Sequence, residues 1–349
     1  MPDVLLVTSP AFLRHQNPPD HPERPERLTA VLDAIRQSGL DEVLGQTEDV
    51  APVARDLLEA VHHPEYIEAV ARVAREGGGF LDPDTFVSPP SFDVALAAAG
   101  GAVCAVDEVL GGRASAAFAL LRPPGHHALP DRGMGFCLFN NVAVAATAAR
   151  DRHGRRRILI LDWDAHHGNG TQAMFYRDPT VLYISTHQEN WYPGTGHWDE
   201  AGAGEGEGFT LNIPLPAETG DEGYRLIFEE VVVPLVQAHR PELLLVSAGY
   251  DAHFADPLSG MLVTAAGFRT LADLAVQAIQ RVEGRFAAVL EGGYDLPGLS
   301  TSVVATLEVL TQRSARIPFP DHRFEEAPYA VIRDRVRRAR SIALNYWRI

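Results

Sequence analysis

Short apolar runs alternate with longer helical patterns along almost the whole chain. The runs are apolar on both faces, which is typical of strands in a parallel sheet that is covered on two sides. These candidate strands are residues 4–8, 117–121, 158–161, 181–185, 243–247 and 287–290. The alternation predicts an α/β fold with a doubly wound, mainly parallel sheet flanked by helices.

The segments between these runs have helical periodicity. The candidate helices are residues 25–38, 64–76, 91–110, 141–150, 221–238, 264–280 and 297–312. Ser91, Asp221 and Thr264 belong to the residue types that cap helix N-termini, so we expect each to cap one of these helices. Since no linker, repeat or low-complexity block divides the chain, residues 1–349 are predicted to form a single domain.

The composition excludes several classes of protein. With 46% hydrophobic and 22% charged residues among 349, the chain is neither disordered, collagenous nor a coiled coil. A formal charge of −16 argues against a nucleic-acid partner, because neutralising phosphates needs a basic face. The charge suits a cationic substrate, and it equally suits a surface that is acidic for solubility. The two cysteines, Cys104 and Cys137, form no CxxC pair, which argues against a disulfide scaffold.

The start of the chain, MPDVLLVTSPAF, has no basic segment and only a short apolar run. It therefore does not resemble a signal peptide, and no stretch is apolar enough to span a membrane. These features predict a cytoplasmic protein with no membrane partner.

Two regions depart from the alternation. The glycine-rich stretch 193–216 enters a short strand, whereas a dinucleotide fingerprint needs strand, glycines and then helix. Residues 315–349 form a tail in which apolar residues alternate with arginines between Glu325 and Trp347. We interpret this tail as an amphipathic helix that packs on the domain; the alternative is a surface that docks a partner or a membrane.

Ionisable and metal-binding side chains follow five of the predicted strands. In parallel sheets, ligands bind at the carboxyl ends of the strands, which meet at one edge. In chain order these residues are His126 and His127; Asp162, Asp164, His166, His167 and Asn169; His187; Asp251 and His253; Glu291 and Tyr294. Any one of them could be a helix cap or a turn residue, but five such strand ends together predict a functional site.

A metal site is the first function that this pattern indicates. Asp164 and His166 lie two residues apart and so on the same side of an extended segment. With Asp251 they would form a three-ligand site with an open position, which is the arrangement of catalytic zinc. Iron(II) suits the same ligands. The alternative is that Asp164 caps a helix that begins near Gly168.

The adjacent histidines His126 and His127 suit proton transfer better than metal binding, because neighbouring side chains diverge. Asp162 and Asn169 are suitable partners for their outer ring nitrogens. A carboxylate raises the pKa of its histidine, whereas an amide orients the ring without that electrostatic effect. The two rings could therefore hold different protonation states, as acid and base catalysis requires.

Six motifs together resemble one known family. They are RPPGHHA, GFCLFNN, DWDAHHGNGTQ, YPGTG, AGYDAH and LEGGYD, and they follow in order between about residue 21 and about residue 311. The chain resembles the histone deacetylase and acetylpolyamine amidohydrolase family. HPERPERL at residues 21–28, and Asn169 where other branches usually have Asp, are similar to its class II branch. The resemblance implies the arginase/deacetylase-like fold as a single catalytic domain.

The resemblance implies a role for each residue of the site. Asp164, His166 and Asp251 would bind one zinc ion. His127 would act as the general base and acid, assisted by His126. Tyr294 would donate a hydrogen bond to the scissile carbonyl and then to its oxyanion. Gly292 and Gly293 would allow the tight turn that precedes this tyrosine.

A substrate tunnel and cation sites are also implied. Phe136 and Tyr192 would form the two walls of the tunnel, with Gly135 adjacent and Leu258 at the rim. Asp84 would bind the substrate backbone at the mouth. A structural potassium site is implied as well. Its ligands would be Asp162, the backbone oxygens of Asp164 and His166, and Ser185. Phe175 would lie near a second monovalent cation.

The implied reaction is removal of an acetyl or small acyl group from the ε-amine of acyl-lysine. An acetylated polyamine is the main alternative substrate, and a catalytically silent binding or scaffold protein is the alternative from another class. Gly168 and His253 stand where a two-manganese ureohydrolase has further carboxylates, which argues against arginase-like activity. The oligomeric state stays open.

Overall fold

The computed structural model describes residues 3–319, 322 and 324–349. Eight parallel strands form the main sheet in the order β2-β1-β5-β10-β9-β6-β7-β8, and β3 and β4 form a separate antiparallel hairpin. The strands are β1 (Val4–Val7), β2 (Gly45–Thr47), β3 (Gly79–Phe80), β4 (Phe86–Val87), β5 (Ala116–Ala119), β6 (Ile158–Asp162), β7 (Val181–Gln188), β8 (Thr210–Leu215), β9 (Leu243–Ala248) and β10 (Arg285–Leu290).

Helices flank the sheet and connect its strands. They are α1 (Glu26–Ser38), α2 (Arg55–Glu59), α3 (Pro64–Arg75), α4 (Ser91–Leu110), α5 (Asn141–His153), α6 (Asn169–Phe175), α7 (Asp221–Ile227), α8 (Val233–His239), α9 (Ala265–Arg281), α10 (Leu296–Thr311) and α11 (Tyr329–Ala343). Helix α4 packs on α5 and contacts β5, whereas α10 packs on both α1 and α9. The predicted doubly wound α/β fold is therefore confirmed.

Complete burial explains why the strands have no polar face. Every residue of β1, β5, β6, β7, β8 and β9 is buried. The short strands β2, β3 and β4 are not among the predicted strands, because each has only two or three residues, most of them partly exposed, and lacks an apolar run. Among the described residues, no helix is both long and apolar enough to cross a membrane.

One of the three expected helix caps is correct. The Thr264 side chain accepts a hydrogen bond from Gly267 N at the start of α9. The predictions for Ser91 and Asp221 are wrong, because each is the first residue of its helix and has another partner. Ser91 Oγ accepts from Ser88 N, and Asp221 accepts from the backbone and hydroxyl of Thr264.

The arginine-rich tail contains helix α11, which packs on the domain as interpreted. Its buried residues are Ile332, Val336, Ala339 and Ala343, and its neighbours are β8 and α7. The alternative, a surface that docks a partner or a membrane, stays a hypothesis for the exposed side of this helix.

A buried ion network connects the N-terminal segment to the sheet. The carboxylate of Glu23 accepts from Arg122 Nε at 2.5 Å and Nη2 at 2.8 Å, and Arg27 Nη1 lies 3.3 Å away. All three side chains are fully buried. Burial alone would raise the pKa of Glu23, but Arg122 and His15 outweigh it and hold this pKa well below its usual value.

We predict that Glu23→Gln lowers the free energy of unfolding by about 3–5 kcal/mol at neutral pH, because two buried guanidinium groups lose their counter-ion. Since the folded pKa of Glu23 is depressed, its contribution is present above its unfolded value of 4.5 and is lost as the pH falls below that. Urea denaturation across this range should show the difference from wild type shrinking with acidification. A difference that does not depend on pH would contradict the assignment to this carboxylate.

Candidate metal-dependent active site

The predicted site residues come together at the carboxyl edge of the sheet. Strands β6, β9 and β10 are neighbours, and their ends carry Asp164 with His166, Asp251, and Tyr294. The loop after β5 adds His126 and His127. Because parallel strands end at the same edge, segments that are far apart in the sequence meet within one pocket.

Three potential metal ligands converge on one point. His166 Nδ1 lies 3.1 Å from Asp164 Oδ1 and 3.0 Å from Asp251 Oδ2. Their ligand atoms all lie within 4.8 Å of one another, and all three residues are buried. Asp164 does not cap α6, because its oxygens accept from the backbone nitrogens of His166 and Gly292 at 2.9 Å. The capping alternative is therefore wrong.

The surroundings fit a bound cation. Two buried carboxylates that face one imidazole are costly unless a positive charge compensates them. Glycines lie directly behind them: a Cβ atom added at Gly249 would overlap Asp164, and one at Gly292 would overlap Asp251. Gly292 therefore lets the backbone approach the Asp251 carboxylate closely, and Gly293, with φ 115°, allows the turn before Tyr294. Both carboxylates and the imidazole are donors that zinc and iron(II) accept.

A second group of potential ligands in the described residues is His126, Cys137 and Glu291. The Glu291 carboxylate in this group has hydrogen-bond partners that do not require a metal. Glu291 Oε2 accepts from Gly125 N at 2.7 Å and His126 N at 3.1 Å, and Oε1 accepts from Ser247 Oγ at 3.3 Å. Glu291 thus shapes the loop that carries the paired histidines, a role that the sequence did not reveal.

The two histidines have the partners that the sequence predicted. His126 Nδ1 lies 3.0 Å from Asp162 Oδ2, and His127 Nδ1 lies 2.8 Å from Asn169 Oδ1. Their ring centroids are 4.0 Å apart. Tyr183 OH donates to the same Asp162 oxygen at 3.1 Å, which fixes that carboxylate from a second side.

Their environments separate the pKa values of the two rings. Burial disfavours a charged His126, but Asp164 and Asp162 outweigh it and raise its pKa to about 10. Burial and the like charges of His126 and His166 lower the pKa of His127 well below its usual value. The site therefore favours a protonated His126 beside a neutral His127.

Tyr294 is held by groups from three parts of the chain. Its backbone nitrogen donates to Asp256 Oδ2 at 2.5 Å, and its ring lies 5.6 Å from Phe136. Arg27 donates to the carbonyls of Gly293 at 2.6 Å and Glu291 at 2.5 Å, with its guanidinium 4.8 Å from the tyrosine ring centroid. No local sequence pattern indicates this contact between the HPERPERL segment and the backbone that precedes Tyr294.

These groups line the closed end of a cavity of about 270 Å³. Its lining residues are Asp84, His126, His127, Gly135, Phe136, His166, Trp191, Tyr192, Asp251, Pro257, Leu258 and Tyr294. A Cβ atom at Gly135 would overlap the His127 ring, so this glycine keeps the passage open. The predicted tunnel residues Asp84, Gly135, Phe136, Tyr192 and Leu258 therefore all line one cavity.

Trp191 is a cavity residue that the sequence analysis missed. Its Nε1 donates to the Leu258 carbonyl at 2.8 Å, and His166 Nε2 lies 3.2 Å from the same oxygen. Trp191 Nε1 and the outer nitrogen of His166, a candidate metal ligand, thus share the Leu258 carbonyl oxygen as their acceptor. A contact of this kind orients a metal-binding imidazole.

The remaining predicted residues lie in supporting positions. Ser185 Oγ lies 2.9 Å from His187 Nδ1, next to β6, and Phe175 ends α6. The ring nitrogens of His167 lie within hydrogen-bond distance of Thr195 Oγ1 and Gln172 Oε1. The His253 ring is tilted against the Phe254 ring and is not among the cavity-lining residues. The assignment of Asp162, Asp164, His166, Ser185 and Phe175 to potassium sites stays a prediction.

Comparison with known proteins agrees with this geometry. A model of the histone deacetylase domain matches residues 21–310. A probable deacetylase of Archaeoglobus fulgidus is 45% identical over 296 residues, covering 84% of this chain and 82% of the relative. A histone deacetylase-like amidohydrolase of Pseudomonas aeruginosa is 39% identical, covering 94% and 86%. The crystal structure of the HDA15 HD domain superposes with a TM-score of 0.91 at 34% identity, covering 99% and 95%.

The chain therefore belongs to the histone deacetylase family, in agreement with the resemblance in its motifs. Membership supports a hydrolase that acts on an acylated substrate and uses a metal cofactor.

We predict that Asp251→Ala abolishes metal binding, because one of two carboxylates at the ligand cluster is removed. Elemental analysis of the purified variant should find little zinc. Asp84→Asn is the matched control, since Asp84 lies at the cavity mouth and contacts none of the three ligands. Equal zinc in both variants would show that the metal binds elsewhere.

Proposed function

We propose that the protein is a zinc-dependent amidohydrolase that removes an acetyl or small acyl group from the ε-amine of acyl-lysine. The supporting observation is the convergence of three metal ligands, a histidine pair with opposed pKa shifts and a tyrosine at one closed cavity end. The bound zinc ion would polarise the scissile carbonyl and lower the pKa of water. Asp164, His166 and Asp251 would hold it.

His127 is the residue suited to move the proton. Asn169 Oδ1 accepts from Nδ1–H, which leaves Nε2 of the neutral ring as a base. That nitrogen takes a proton from the attacking water and returns it to the leaving amine. Asn169 orients the ring without adding charge, so its low pKa is preserved.

His126 and Tyr294 stabilise the negative charge that develops on the carbonyl. The carboxylates around His126 keep it protonated, which places a fixed positive charge beside the reacting groups. Burial raises the pKa of Tyr294 well above its usual value, so its hydroxyl stays protonated and donates a hydrogen bond. Such a preorganised donor is most effective in a site that excludes water.

The cavity favours an aliphatic stem as substrate. Phe136, Tyr192 and Leu258 contribute apolar surface to its walls, and Asp84 adds a carboxylate away from the candidate metal ligands. A polyamine carries additional ammonium groups, for which this rim offers little compensation. An acetylated polyamine stays the alternative substrate because the net charge of −16 attracts cations.

Tyr294→Phe should lower kcat about 10²–10³-fold, because the donor to the oxyanion is removed. Its zinc content should equal that of wild type. Tyr192→Phe is the matched control: this second cavity tyrosine contributes a ring wall, so loss of its hydroxyl should leave kcat nearly unchanged. Similar kinetics for both variants would contradict the role assigned to Tyr294.

The substrate class can be tested on one zinc-loaded preparation. We expect hydrolysis of acetyl-lysine peptides with a higher kcat/KM than that of N-acetylated putrescine or spermidine, and inhibition by a hydroxamate. A preference for the polyamines would make an acetylated polyamine, and not acyl-lysine, the favoured substrate class. Hydrolysis of neither class would refute the proposed function.

A further inference from the structure

The C-terminal helix α11 contacts the loop that forms one wall of the cavity. We call residues 189–200 the tunnel-wall loop; it begins directly after β7 and contains Trp191 and Tyr192. Helix α11 lies beyond residues 21–310, which match the family domain, and nothing in the proposed chemistry uses it.

An ion pair joins the helix to the first residue of this loop. Arg335 Nη2 donates to both carboxylate oxygens of Glu189, at 3.0 and 2.8 Å. The side chains are only 19% and 27% exposed, so water screens the pair less than it screens a surface pair. Glu189 N also donates to the Leu215 carbonyl of β8 at 2.8 Å. Both the backbone and the side chain of Glu189 are therefore anchored.

A second contact lies near the other end of the loop. The Arg338 guanidinium stacks over the Trp198 ring at 4.8 Å from its centroid. Arg338 and Arg335 are three residues apart and so lie on the same side of the helix. One side of α11 thus contacts both ends of the tunnel-wall loop.

The helix itself is held firmly against the domain. Its apolar stripe is buried, and two further arginines contact Glu230: Arg333 pairs with the carboxylate, and Arg340 Nη1 donates to the carbonyl at 2.7 Å. These arginines serve the attachment of the helix, whereas Arg335 and Arg338 serve the loop. The arginines therefore divide into two groups with different contacts.

The two wall residues of the loop, Trp191 and Tyr192, follow the anchored Glu189 by two and three positions. Trp191 and Tyr192 are 45% and 36% exposed, so packing alone restrains them weakly. Tyr192 nonetheless stands perpendicular to the His127 ring at 5.1 Å, where it defines the width of the cavity. A shift of the loop would move this wall away from His127.

We propose that Arg335 is a positioning residue that, with Arg338, holds the tunnel-wall loop in the conformation that binds the acylated aliphatic stem. This inference rests on the proposed function for its substrate. The ion pair acts on binding more than on the chemical step, because it touches neither the metal ligands nor the histidine pair.

The test compares Arg335→Gln and Glu189→Gln with Arg337→Gln. Arg337 is the matched control on the same helix, since it is 70% exposed and its ionic partner, within the part of the chain that the structure describes, is Asp334. We expect KM for an acetyl-lysine peptide to rise roughly five- to tenfold in both test variants, with kcat within about twofold of wild type. Amide hydrogen exchange in residues 189–200 should accelerate in the same two variants, with unchanged zinc content.

The charge-swapped double variant Glu189→Arg with Arg335→Glu should restore slow exchange and a low KM. Exchange rates and KM in Arg335→Gln equal to those in Arg337→Gln would overturn the inference. If the wild type hydrolyses no substrate, the proposed function fails, and the exchange measurement alone then decides whether Arg335 holds the loop. The two failures are therefore distinguishable.

Discussion

Two buried carboxylates, those of Asp164 and Asp251, face the same nitrogen of His166. Buried negative charge of this density is stable only if cations or N–H donors compensate it. Backbone nitrogens of Gly292 and Ala165 supply part of that compensation, at 2.9 and 2.7 Å. The need to compensate this buried negative charge accounts for three features of the site. Glycine backbone approaches the carboxylates closely, the strand ends bring the candidate ligands together, and the cluster fits a metal ion.

The same buried negative charge separates the pKa values of His126 and His127. His126 lies between Asp162 and Asp164 and takes up positive charge, and that charge in turn lowers the pKa of His127. Asn169 in place of a second carboxylate preserves the difference, because an amide orients its ring without stabilising the imidazolium. Two adjacent rings on one loop thus favour different protonation states, although both are buried side by side.

Local patterns predicted the fold and most of the residues that meet in the cavity, but they did not predict the contacts that support these residues. The strand ends that carry Asp164, His166 and Asp251 were recognisable because apolar runs stop at defined residues. Arg27 contacts Glu291 across 264 positions, and no local pattern indicates that pairing. Ser91 failed as a cap for the same reason, because a nearby serine and a distant histidine bind its hydroxyl.

Distant contacts support the cavity wall as well. His21 stacks edge-on against Phe136 at 4.6 Å, and its Nε2 lies 3.2 Å from the Asp84 carbonyl, so the N-terminal segment supports one side. Trp191 holds Leu258 on the other side. The candidate metal ligands and the paired histidines sit on loops that follow buried strands and are themselves buried, whereas Trp191 and Tyr192 are 45% and 36% exposed. Changes in the outer contacts would therefore alter which acylated chains enter the cavity before they alter the reaction at its end.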